Sequence, residues 1–289
     1  MTQAVYVAPE TLNEAVETLN KANGQAMVLA GGTDLIVQMR AEQIEPKTIV
    51  DIKQIPEISD INIYSGDVYI GAAVTGAELN ENIEVKKLWP GVVEAMELIG
   101  STQIQGRATI GGNLCNGSPA ADTVPALIAA DAMAKIASKN GIRELPVEQF
   151  LEGPGKSKLE VGEILVSLRL PKRQNRSSDS YLRFIPRTEM DIAAVGAGVN
   201  ITLDNEDNCM KARIALGAVA EKAIRVHEAE AVLVGSKLDE ETLTALSKKA
   251  MAACQPIDDK RGTKEFRIHV AGVLVSRAAT KAFTRARSN

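Results

Sequence analysis

An α+β fold in two parts is what this sequence predicts. Three observations carry it. Short apolar strands and amphipathic helices share the first half, which twice passes through a Gly-Gly turn. The run Pro171 to Ser180 then holds no apolar residue, marking a domain boundary or an exposed loop. Beyond it strands come first and helices follow, the order of a small α+β unit.

The elements follow in order. Thr11-x-x-Glu14 is a capping box opening a helix, on which Leu12, Ala15, Val16 and Leu19 recur at helical spacing until Gly24 stops it. Ala26 to Ala30 reads as a short strand delivering the chain into the first Gly-Gly turn, after which Thr33 or Asp34 caps a helix through Met39. Thr48 to Ile52 is another strand. Ile61 to Tyr64 and Val68 to Ala72 flank Ser65-Gly66-Asp67 as a hairpin, and Thr75-x-x-Glu78 is a second capping box. Pro90 starts a helix through Leu98 that Gly100 ends. Pro125 to Ala130 reads as helix, Met133 to Ser138 and Ile142 to Leu145 as a hairpin, and Glu163 to Leu170 as a strand. In the second part Tyr181 to Ile185, Ile192 to Leu203 and Met210 to Gly217 read as strands. Arg225 to Val234, Glu240 to Ala253 and Lys264 to Phe283 read as helices, and the basic tail Lys281 to Arg287 as solvated.

Composition excludes several classes. The net charge of −4 and the absence of a basic patch with interleaved aromatics argue against nucleic acid as a partner. Cys115, Cys209 and Cys254 are widely spaced, so no zinc or iron–sulfur site and no disulfide framework is expected within the chain. With His227 and His269 as the only histidines, no first-row metal site is expected either. The N-terminus lacks a signal-peptide pattern and no apolar run reaches membrane-span length, so the expectation is a cytoplasmic protein.

Val28-Leu29-Ala30-Gly31-Gly32-Thr33-Asp34-Leu35 and Ala108-Thr109-Ile110-Gly111-Gly112-Asn113-Leu114-Cys115-Asn116 are the informative segments. Each Gly-Gly pair can bring backbone N–H groups round an anion, and two such nests suit a ligand with two phosphates, a dinucleotide. Neither is a P-loop or a G-x-G-x-x-G fingerprint, and each alone also reads as a strand-to-helix turn. With no Lys or Arg in either turn, the phosphate donors would be backbone amides and the hydroxyls of Thr33 and Thr109. Gly32 and Gly111 are then both expected to be needed for phosphate to approach.

These segments stand among Ile70-Gly71-Ala72, Ile99-Gly100-Ser101-x-Gln103-Ile104, Ser118-Pro119-Ala120-Ala121-Asp122, Glu163-Ile164-Leu165, Arg187 and Asp191-Ile192-Ala193, in that order along the chain. In these motifs the chain resembles the FAD-binding subunits of the molybdenum hydroxylases, such as the flavin subunits of bacterial xanthine dehydrogenases and of aerobic carbon monoxide dehydrogenase. The resemblance runs nearly end to end. It implies a p-cresol methylhydroxylase-type two-lobed FAD-binding domain over 1–172 and a small α+β C-terminal domain of carbon monoxide dehydrogenase flavoprotein type over 178–288.

The resemblance also implies a set of FAD contacts: Val28 to Leu35, that is Val28, Leu29, Ala30, Gly31, Gly32, Thr33, Asp34 and Leu35; Thr109, Ile110, Gly111, Gly112 and Asn113; and Ile99, Asp122, Leu165, Arg183 and Ile192. Several have a second reading from the residues alone. Asp34 would be repelled by a pyrophosphate, so it is expected to cap the next helix and face away. Asp122 could cap the Pro125 helix; the resemblance favours a ligand contact. Ile99 and Leu165 also read as core. Arg183 stands where relatives carry Lys, and is either a cation at the ring or phosphate or an exposed strand charge. Ile192 matches the position that shields one flavin face, held by an Arg187–Asp191 pair. Relatives read Ile-Arg-Asn before the second loop; here Ile104-Gln105-Gly106-Arg107 displaces the arginine. Cys115, the only thiol near, reads as a packed residue, so FAD is expected to be noncovalent.

By resemblance the chain is an oxidoreductase component that passes electrons from two-iron two-sulfur clusters on a small subunit through FAD to NAD, a quinone or oxygen. The molybdenum cofactor would lie on a large subunit, and the assembly would be a dimer of heterotrimers with no membrane span. No catalytic residue is expected on this chain. The alternatives are a stand-alone FAD-dependent oxidase or reductase, and a nucleotide-binding scaffold.

Overall fold

In the computed structural model, residues 4–187 and 190–289 are described. Capping fixes the first helix, Leu12–Ala22, where the Thr11 hydroxyl accepts the Glu14 N–H. The second box closes fully, with Thr75 and Glu78 bonded reciprocally. Strands β1 (Val5–Val7), β2 (Ala26–Leu29) and β3 (Thr48–Asp51) form a parallel sheet in the order β1-β3-β2. Next come β4 (Ile61–Tyr64), β5 (Asp67–Gly71), β6 (Met133–Ser138), β7 (Gly141–Pro146), β8 (Leu151–Gly153), β9 (Lys156–Ser157) and β10 (Ile164–Leu170). All but β8 and β9 join one antiparallel sheet, β4-β5-β10-β6-β7, with β10 at its centre. Strand β10 is buried on both faces, which is why it reads as an almost unbroken apolar run.

The C-terminal part holds β11 (Ser177–Phe184), β12 (Val195–Leu203), β13 (Cys209–Gly217) and β14 (Ile224–Arg225) as an antiparallel sheet in chain order. Helix Lys264–Ser288 lies across β11 and β12 and buries Val275, Ala279 and Ala282 in a second core with Val199 and Ile214. The first core, built on Val50, Ile70, Met96, Ile136 and Leu168, reaches over to Tyr181 of β11. Among the described residues no helix is long and apolar enough to cross a membrane.

Two expectations are corrected at the junction. Ser177 to Ser180 are not an exposed loop but the buried start of β11. Several polar groups there find partners: the Ser180 hydroxyl donates to the Ala278 carbonyl at 2.7 Å, and Arg173, stacked over Trp89, donates to Asp179 at 2.6 Å, although Arg173 Nε and Asp179 Oδ2 have none among the described residues. The basic tail is not solvated either. Lys281 and Arg285 both pair with Glu94 of the first part, and Arg285 also donates to the Asp179 carbonyl. Polarity marked this stretch as surface; paired polarity put it between two cores.

Candidate functional site

Between the small parallel sheet and the strand β10 lies a cleft of about 500 Å³, within the usual range for a small-molecule site. Both Gly-Gly loops line it, through Ala30 to Leu35 and through Thr109, Gly111, Gly112 and Asn113. Its walls are largely apolar: Val28, Ile52, Ala72, Ile99, Ile164 and Leu165.

The first loop is shaped by what it touches. A Cβ on Gly31 would stand 2.0 Å from the Arg107 carbonyl oxygen, so only glycine lets the two loops close on each other. Gly32 adopts φ +77, a conformation that side chains resist. The turn leaves the N–H groups of Gly31, Gly32, Thr33, Asp34 and Leu35 without a protein acceptor among the described residues. The last of these open the helix Leu35–Arg40, whose first carbonyl acceptors are Gly32 and Asp34. Asp34 holds the N-cap position but its carboxylate makes no cap hydrogen bond, which corrects the capping role expected of it. The result is a set of unpaired backbone donors at a cleft wall, suited to an anion.

The second loop differs. Ile110 N–H donates to Val74 O, Gly111 N–H to Ala72 O, Gly112 N–H to the Thr109 hydroxyl at 3.0 Å, and Asn113 N–H to Thr109 O. These amides are spent on the fold, so the expected second amide nest does not form. A Cβ on Gly111 would meet the Ala72 backbone at 2.5 Å, so this glycine serves packing. What the loop still offers the cleft is the Thr109 hydroxyl proton and the Asn113 side-chain amide. The Asn113 Oδ1 is already taken by Thr123 at 2.6 Å.

Around these loops the electrostatics are quiet. Burial pushes the Cys115 thiol up to about 12, so it stays protonated beside the cleft. Glu163 also lines the cleft, but Arg143 donates to it at 2.6 Å and holds it below the usual carboxylate range. The Arg107 side chain is exposed, and it is the Arg107 backbone that meets the first loop.

Five of the expected contact residues do not line the cleft. Leu29 lies beneath Gly32, its Cδ1 2.9 Å from where a Cβ there would stand. Ile110 is fully buried in the first core. Asp122 sits at the N-cap position of helix Thr123–Ala129 without capping it. Its carboxylate instead accepts from Tyr181 Oη at 2.8 Å and from Arg183 at 2.9 Å. Burial pushes Asp122 up, and Arg183 and Tyr181 pull it back in part. Arg183 is therefore no exposed strand charge: its side chain is 7 % exposed and its Nε has no partner. Ile192 is 51 % exposed on the loop before β12, behind an Arg187–Asp191 pair of 2.9 Å. Met27, Gln38, Ile44, Gly155 and Leu159 also line the cleft, and sequence reasoning missed them, since a lone apolar residue, amide or glycine carries no signal of its own.

Comparison with known proteins completes the picture. The model of the FAD binding domain in molybdopterin dehydrogenase matches residues 1–173. The model of the carbon monoxide dehydrogenase flavoprotein C-terminal domain matches residues 180–282. The chain is 33 % identical over 285 residues to the putative xanthine dehydrogenase FAD-binding subunit of Escherichia coli K12, covering 98 % of this chain and 97 % of that one. It is 31 % identical over 280 residues to the carbon monoxide dehydrogenase medium chain of Hydrogenophaga pseudoflava, covering 97 % of each. Among solved structures, carbon monoxide dehydrogenase from the same organism superposes with a TM-score of 0.94 at 32 % identity over 98 % of both chains. Quinoline 2-oxidoreductase from Pseudomonas putida 86 superposes with a TM-score of 0.91 at 27 % identity.

Proposed function

The chain belongs to the family of FAD-binding subunits of the molybdopterin dehydrogenases, and from that premise we propose that it is the electron-transferring flavin subunit of a molybdenum hydroxylase. Its partners are a large subunit carrying the molybdenum cofactor and a small subunit carrying two-iron two-sulfur clusters, arranged as a dimer of heterotrimers in the cytoplasm. When bound, the flavin takes electrons singly and gives them up as a pair, to NAD or a quinone, with oxygen as a third acceptor.

The observation that carries this reading is the row of unpaired amides from Gly31 to Leu35 on the wall of the cleft. They hold the pyrophosphate, helped by the hydroxyls of Thr33 and Thr109 and the side-chain amide of Asn113. Val28, Ile99 and Leu165 flank the rings. Gly111 and Gly112 bring the second loop to the cleft without donating their N–H groups. Leu29 and Ile110 support the loops from behind. Asp122, itself held by Tyr181, fixes Arg183 as a buried positive charge on the C-terminal side, and Ile192 covers the flavin from that side. A thiol as weakly acidic as that of Cys115 is a poor nucleophile, so attachment is noncovalent. Asn116 belongs to the rim facing the iron–sulfur subunit.

Purifying the native complex tests this. The expected preparation contains FAD that acid precipitation releases, together with iron and molybdenum, and its substrate reduces the flavin. A yellow chain that oxidises a substrate alone would replace the reading with a stand-alone oxidase, and a colourless one with a scaffold.

A further inference from the structure

The chain leaving β3 grips the chain leaving β2. Ile52 N–H donates to Leu29 O at 3.1 Å, and one residue on Lys53 Nζ donates to Ala30 O at 3.3 Å. Lys53 is itself held hard. Its ammonium sits 2.6 and 2.7 Å from the two Asp51 oxygens, and its own N–H donates to Asp51 at 3.1 Å. The Tyr6 hydroxyl of β1 donates to Asp51 at 2.6 Å. Of these groups only Lys53 reaches the Ala30 carbonyl, at the entrance of the first Gly-Gly loop; Tyr6 touches Asp51 alone.

That carbonyl belongs to the peptide that carries the Gly31 N–H. In a planar trans peptide the C=O and N–H point in opposite directions, so holding one aims the other. A glycine on the far side of that peptide has little of its own to resist rotation. We propose that Lys53 is a positioning residue for FAD: by holding the Ala30 carbonyl it keeps the Gly31 N–H turned into the cleft. The inference rests on the reading of the first loop as the pyrophosphate site. Burial works against the ionised form of Asp51. The hydrogen bonds from Lys53 and Tyr6 outweigh it and hold Asp51 below the usual carboxylate range, so the anchor persists at neutral pH.

The test is the FAD dissociation constant of the flavin-free full chain, with its melting temperature as the control. Lys53→Met should weaken binding about tenfold, the loss of roughly one hydrogen bond's net effect. Lys53→Arg should recover most of that, and Tyr6→Phe, which loosens Asp51 without touching Ala30, should bind FAD as the parent does. If Lys53→Met does not fold, Lys53→Gln takes its place. Parent-like binding by the Met or Gln variant overturns the inference. So does an equal loss in Tyr6→Phe, or no recovery in Lys53→Arg, since either marks general loosening of the sheet. Gly32→Val separates this from the underlying reading. If Gly32→Val loses FAD while Lys53→Met does not, only the Lys53 inference fails; if neither loses FAD, the pyrophosphate site itself is misplaced.

Discussion

The two Gly-Gly loops look alike in sequence, Gly31-Gly32-Thr33 and Gly111-Gly112-Asn113, yet they use their backbones in opposite ways. From Gly31 to Leu35 the N–H groups find no protein acceptor among the described residues, whereas from Ile110 to Asn113 every N–H is taken by Val74, Ala72 or Thr109. The difference comes from what lies beside each loop. The first follows the end of a small parallel sheet and opens on the cleft. The second runs against the segment after β5, where the isolated Thr75–Thr109 bridge pins it. A Gly-Gly pair therefore marks a place of close approach, and the neighbour decides whether a ligand or the chain itself approaches.

Adding a side chain to each loop separates the two most strongly. Gly111→Val should cost about 3 kcal/mol in stability, because its Cβ falls within 2.5 Å of the Ala72 carbonyl, in backbone that cannot yield. Gly32→Val should cost about 1–2 kcal/mol for its positive φ and lose FAD. There the nearest atoms are the movable side-chain ends of Leu29 and Ile36. Thermal unfolding with and without FAD measures both. A Gly32 variant that melts below the Gly111 variant would reverse the assignment.

The next effect sharpens the contrast by asking what holds the C-terminal side, with Arg183 and Ile192, against the first. Burial disfavours the charge on Glu94, but hydrogen bonds from Arg285, Lys281 and the Tyr181 N–H outweigh it and lower its pKa. A lowered carboxylate stabilises the fold above its unfolded pKa near 4.3, and the contribution is lost as pH falls through the folded value. Glu94→Gln should therefore be less stable by on the order of 2 kcal/mol at pH 7, with the gap to the parent closing below about pH 4. Urea titrations at pH 7 and pH 3.5 check it, and a gap that widens in acid contradicts the pairing.

The smallest effect separates the two threonines. Thr109→Val removes the acceptor of the Gly112 N–H and should cost about 1 kcal/mol in stability. Thr33, whose hydroxyl has no bond within the protein among the described residues, should tolerate valine within about 0.5 kcal/mol while FAD binds more weakly. Equal losses of stability would mean that the first loop is tied into the fold as firmly as the second.

Much of this was legible in the sequence, for local reasons. The capping boxes at Thr11 and Thr75, the largely apolar run of β10 and the late helices depend on neighbours a few residues away. What escaped depended on distant partners. Nothing near Gly111 announces that Ala72 would take its amide, or that Val74 would take the one before it, and nothing near Ser177 announces Ala278 as an acceptor. Asp34 reads as a cap by type and position, yet its carboxylate caps nothing. The resemblance supplied the positions of Asp122 and Arg183, and only the structure shows them bonded to each other, with Tyr181 on the same carboxylate, rather than lining the cleft.

Amide hydrogen exchange on the full chain, with and without FAD, reads the two loops side by side. The N–H groups of Gly31 to Leu35 should exchange rapidly in the flavin-free protein and become protected when FAD binds. Those of Ile110 to Asn113 should already be protected and change little. Protection gained across Ile110 to Asn113 with no change at Gly31 to Leu35 would contradict this contrast.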